Sequence, residues 1–170
     1  MSKSWSPKVG WFNDNYALRV LSASFGPSGK GTPMITLELE VASPESAFIN
    51  GEEYTVAGVK MKHYITTQSR KDGVVDEFKT EKMKGRIEEA YKAFGIPFDT
   101  FNPENPDVSG FEGKTVWAFV EHDENVLRKT QTAEQKANGQ LGDVAINPVT
   151  GEKSQTFYPK VKEFYGIAKL

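Results

Sequence analysis

The stretch that most narrows the fold is residues 34–41, MITLELEV. Ile35, Leu37, Leu39 and Val41 alternate with Met34, Thr36, Glu38 and Glu40, a period of two that suits a strand with one buried and one solvated face and does not suit a helix. Just ahead lies Gly29-Lys30-Gly31-Thr32, which looks like the end of a phosphate-binding loop, G-x-x-x-x-G-K-[ST]. The rest of that motif is missing. Ser24 holds the place of the first glycine, Pro27 lacks an N–H that would wrap phosphate, and Pro33 leads into strand where the motif needs the start of a helix. The segment is therefore expected as a Gly/Pro-rich turn between two strands, with Lys30 at its tip.

The same period of two recurs on either side. Tyr16, Leu18 and Val20 alternate with Ala17 and Arg19 in a first strand over 16–25, and Met61, His63 and Ile65 alternate with Lys62, Tyr64 and Thr66 in a third. From Glu81 to Phe94 the period lengthens: Met83, Ile87, Ala90, Tyr91 and Phe94 form one apolar stripe on a helix, with Thr80 as its N-cap, Gly95 just past its end and Pro97 preventing continuation. KTVWAFVEH reads as a buried strand, and Thr156 to Phe164 as a last one with Pro159 at an edge or bulge position. Between them, residues 123–153 are polar and almost aperiodic and read as a long functional or mobile loop. The order is strand, strand, strand, helix, strand, strand. It predicts a single mainly β domain over residues 1–170: an OB-fold-like, five-stranded, partly open barrel with one α-helix between strands 3 and 4.

With 170 residues and no cysteine, such a core needs neither disulfides nor a zinc ribbon. The absence of cysteine fits a reducing cytoplasm, and no apolar run approaches a membrane span. A net charge of −2 argues against coating nucleic acid by bulk positive charge. The charge is uneven, however: eight cations stand against four anions over residues 54–86, two against nine over 87–124, and seven against four over 125–170. Two basic segments flanking an acidic one are able to form a local groove that tracks phosphates.

Four stretches, SGKGTPMITLELEV, KMKGRIEEAYKAFGIP, FEGKTVWAFVEHDE and FYPKVKEFYG, resemble bacteriophage single-stranded DNA-binding proteins, the small early proteins encoded near phage replication and recombination genes. The resemblance implies an OB-fold and sequence-tolerant binding of single-stranded DNA in the host cytoplasm during replication or recombination. Contacts with phage or host replication and recombination proteins, and homo-oligomerisation, are compatible with it.

Single-strand binding calls for cations along the phosphates and aromatic faces for the bases. Alternation places Lys62 and Tyr64 on the outer face of the third strand, and Tyr158, Lys160 and Lys162 on the outer face of the last, with Arg19 on the corresponding side of the first. Lys30 in the first loop and Arg128, Lys129 and Lys136 in the long loop are further candidates. Trp117 shares one strand face with Phe119, opposite Val116, Ala118 and Val120; this bulky pair reads as core, with a base platform as the second role for Trp117. Trp5 and Trp11 are expected to pack onto the barrel.

Catalysis finds little material. Asp107, Glu112 and Lys114 resemble the PD…ExK pattern of metal-dependent nucleases, but four residues separate the two carboxylates and glycines flank the glutamate, which favours a turn. Glu121, His122, Asp123 and Glu124 would point to alternating faces of a strand. With only His63 and His122, histidine chemistry is thinly supplied, and His63 falls on the core side, where a hydrogen-bonded structural role is expected. The chain is therefore expected to be a non-enzyme with no cofactor and no metal, whose partner is single-stranded DNA. The alternative is a phage assembly or adaptor module on a similar barrel, marked by an exposed apolar patch.

Overall fold

The computed structural model describes residues 2–28, 31–99, 101–123, 131–140, 142, 145–146, 153–154 and 158–169. The chain is mainly β, and its centre is one antiparallel sheet. The sheet is made of β2 (Asp14–Pro27), β3 (Pro33–Ser43), β6 (Lys60–Thr66), β9 (Thr115–His122) and β12 (Pro159–Ile167), in the order β12-β9-β2-β3-β6. All four neighbouring pairs are antiparallel, so the two edge strands β6 and β12 run parallel to each other.

Alternation explains what these strands bury. Leu18 and Val20 of β2, Ile35, Leu37, Leu39 and Val41 of β3, and Val116, Ala118 and Val120 of β9 all turn inward and are buried. Register shifts between Val20 and Ser22 in β2, and at two places in β12, bend the strands. The sheet curls until β6 and β12 meet through side chains, with the His63 and Phe164 rings edge to face at 4.9 Å between centroids. Among the described residues no ladder joins these two edges.

Helix α1 (Glu77–Ala93) packs against β12. The expected stripe is there, with Ile87, Tyr91 and Phe94 buried, but the helix begins four residues earlier than expected. Asp76 is its N-cap and accepts from the Lys79 N–H at 3.1 Å. Thr80 lies inside the first turn, where its Oγ1 accepts from the Ser69 N–H at 3.0 Å. Apolar periodicity could not find this start, because the extra residues are polar apart from an exposed Phe78. At the other end Gly95 takes φ 68° and ends the helix as expected. Tyr91 stacks edge to face on Phe98, Phe101 and Phe111, and Phe94 on Phe111 and Phe164. This aromatic cluster ties α1 to the sheet.

Smaller strands flank the sheet and make the element order longer than five strands and one helix. β1 (Lys3–Ser4) pairs with β5 (Glu52–Thr55), which forms a hairpin with β4 (Ser46–Ile49) through Asn50 and Gly51, both at positive φ. β7 (Arg70–Lys71) and β8 (Val74–Val75) form a second hairpin through Asp72 and Gly73, again both at positive φ. Asn-Gly and Asp-Gly favour this two-residue turn because its backbone twist matches that of the strands. Helix α1 thus follows β8 rather than following the third strand of the main sheet directly. The N-terminal tryptophans pack as expected: Trp11 is buried, 4.9 Å from Tyr16 and 5.5 Å from Trp5 between ring centroids.

The polar segment is not uniformly loop. A short helix α2 (Ala133–Ala137) begins at a capping box formed by Thr132 and Gln135, and β10 (Ala145–Ile146) pairs with β11 (Lys153–Ser154).

Candidate nucleic-acid interface

The residues singled out on β6 and β12 reach a common place by way of the sheet's curl. A cleft of about 960 Å³ opens where β6, β12 and α1 meet, and both Tyr64 of β6 and Lys162 of β12 line it. Tyr165, Arg86 and Lys92 line it too, with Met83, Ala90 and Phe164 among its apolar lining. Tyr64 and Tyr165 are 52% and 51% exposed, so both rings are open to a ligand. Lys160 faces solvent beside the same seam, and its charge reaches His63. Burial, helped by that lysine, pulls the His63 pKa down to about 4, so the imidazole is neutral at neutral pH. Its core-side placement is as expected. Among the described residues the contact found for its ring is the one with Phe164, in place of the expected hydrogen bond.

The outer face of the sheet holds the other candidates, differently disposed. Lys62 stands in register with Glu38 on β3, its Nζ 3.7 Å from the carboxylate, and Arg19 with Glu40, Nη1 to oxygen 3.3 Å. The Ser22 hydroxyl also donates to Glu38 at 3.2 Å. These two glutamates are the polar half of the alternation that defines β3. They convert an expected basic face into a mixed one.

On β9 the expected packing is reversed for the bulky pair. The small and β-branched residues Val116, Ala118 and Val120 form the core, while Trp117 is 37% exposed on the other face, in register with Ala17 and Gly166. Leu18 of β2, in register with Val116, is fully buried beside these small residues. Tyr158, just before β12, is exposed, and its carbonyl accepts from the Asp123 N–H at 2.7 Å. Lys30, Arg128 and Lys129 lie outside the described residues. Lys136 is exposed on α2.

The nuclease-like triad is divided among structural tasks. The Asp107 carboxylate accepts from the Ser109 N–H at 3.0 Å and its hydroxyl at 2.7 Å, which holds that carboxyl below its usual range. Lys114 Nζ donates to the Phe94 carbonyl at the end of α1 at 2.8 Å, and Glu112 accepts from the Ala23 N–H at 3.4 Å. Among the described residues no three metal-ligating side chains are grouped, and no helix is long and apolar enough to cross a membrane.

Arg86, Lys92 and Tyr165 were not among the sequence candidates. The two cations sit on the polar side of an amphipathic helix, where charged residues are ordinary, and only the approach of β12 to α1 gives them a shared role. No protein-family model matches the chain, and no curated protein matches it.

Proposed function

We propose that this protein binds single-stranded DNA without sequence preference and without catalysis, on an OB-like barrel, as the phage proteins it resembles do in replication or recombination. The observation that carries this reading is the meeting of Tyr64 and Lys162 in one cleft although they come from strands at opposite edges of the sheet. An aromatic ring and an ammonium group at one concave place are the two parts single-strand binding needs. The strand order supports it as well. In chain order the main strands run five, four, one, two, three across the sheet, with the third and fifth touching at the seam, an arrangement compatible with an OB barrel.

The test is fluorescence anisotropy of a labelled oligo-dT titrated with the protein, beside a matched duplex, at low and moderate salt. Binding to the single strand that weakens steeply with salt, and much weaker duplex binding, is expected from counterion release. Absence of single-strand binding at low salt would sink the reading. It would then favour a protein-interaction module, for which exposed Phe48 on β4, Val74 on β8 and Phe78 at the start of α1 are among the apolar contacts.

A further inference from the structure

Cations on a protein surface differ in whether they are free to meet a ligand. On the outer face, Arg19 and Lys62 already face Glu40 and Glu38. In the cleft, Arg86, Lys92 and Lys162 make no ion pair among the described residues. Glu89 and Glu163 also line the cleft, so three cations face two carboxylates there, and among the described residues none of the five has an ion-pair partner. A phosphate entering this cleft displaces no ion-pair partner among the described residues, whereas one approaching Lys62 competes with Glu38.

The shape selects among anionic ligands. An extended peptide adding as a strand would have to separate β6 from β12, and the His63 and Phe164 rings hold that seam shut at 4.9 Å between centroids. A duplex is too wide for a cleft of about 960 Å³ floored by α1. A few nucleotides of one strand fit, with Tyr64 and Tyr165 on its walls as surfaces for bases.

We propose that the cleft between β6, β12 and α1 is a subsite for single-stranded nucleic acid, in which Arg86 and Lys92 of the helix and Lys162 of β12 hold phosphates while Tyr64 and Tyr165 stack bases. The bound strand then crosses the seam onto the helix instead of following the outer face of β3. This rests on the single-strand reading and adds a path to it.

The experiment compares two double variants of the full chain, Arg86→Ala/Lys92→Ala and Arg19→Ala/Lys62→Ala, in oligo-dT titrations across a salt series. All four residues are exposed, so thermal unfolding of both variants should match the parent and serves as the fold control. The cleft pair is expected to flatten the dependence of log affinity on log salt by about 1.4, since each phosphate that a cation neutralises on a single strand accounts for about 0.7. The outer pair should flatten it by less than half as much. Tyr165→Ala should weaken binding about five- to 160-fold with the slope unchanged, as removal of one stacked base does. If the parent protein binds and the outer pair carries the salt dependence while the cleft pair leaves it intact, the subsite is wrong and the single-strand reading stands. If the parent does not bind oligo-dT at low salt, both fall together.

Discussion

On the outer face of β3, Glu38 stands in register with Ser22 and Lys62, and Glu40 with Arg19 and Lys60, so Lys62 and Arg19 direct their charge within the sheet. Across the edge of β6, in the cleft against α1, the cations come from elements distant in sequence and none has an ion-pair partner among the described residues. The two regions hold similar residue types, but two of the three outer cations, Arg19 and Lys62, are ion-paired while Lys60 is not, whereas none of the three cleft cations is paired among the described residues. Cross-strand neighbours are set by register, so a charged residue on a β face meets whatever the next strand presents. Helix-to-strand neighbours are set by tertiary packing, which leaves room for an unmatched set.

The contrast depends on the seam, and breaking the seam should have the largest effect. Phe164 touches both His63 and Phe94. Phe164→Ala should cost about 3 kcal/mol, the low end for a core aromatic because Phe164 is only partly buried, and chemical denaturation measures it. Single-strand binding should fall in the same variant at temperatures where it remains folded, whereas the Lys62–Glu38 face should be unaffected.

Acid probes the same seam. His63 stays neutral in the folded protein down to about pH 4, against an ordinary value of 6.5. The unfolded chain therefore takes up the proton first, and stability falls as pH drops from about 6.5 toward 4, by up to about 3 kcal/mol from this residue. Denaturation midpoints followed through that window should show the decline in the parent and a shallower one in His63→Leu. An identical slope in the two would mean that the imidazole is not shielded at the seam.

Removing a wall of the cleft comes next in size. Tyr64→Ala should weaken oligo-dT binding by roughly 1–3 kcal/mol, read by anisotropy, with little change in stability because half of the side chain is already exposed. The smallest effect belongs to the outer face. Glu38→Gln frees Lys62 from its partner and should change stability by less than about 0.5 kcal/mol, since both groups are solvated. Oligo-dT affinity should rise slightly and its salt dependence steepen by up to about 0.7 in log-log slope. A gain in affinity as large as the fall in Tyr64→Ala would reverse the comparison and make the β3 face the main path.

Much of the strand framework was legible in the sequence. The alternation over β2, β3, β6 and β9 needs only local pattern, because one buried face imposes it. The two small hairpins carry an equally local signal in Asn50-Gly51 and Asp72-Gly73, but the strands they join are only two to four residues long, too short to show a period of their own. The start of α1 was harder, since Asp76 and Thr80 are both able to cap and only the contact of Thr80 with Ser69 takes it out of that role.

The candidate site divides in the same way. Alternation alone turned Lys62, Tyr64, Lys160 and Lys162 outward, because a strand has no other means of burying Met61, Ile65 and Val161. It could not show that Lys62 would be answered by Glu38, that Trp117 would face out while Ala118 fills the core, or that Arg86 and Lys92 would stand across from Lys162. Those outcomes depend on strand register, on which face of β9 the core takes, and on how far the sheet curls before β6 and β12 meet. Each is a distance between residues far apart in the chain, and only tertiary packing decides it.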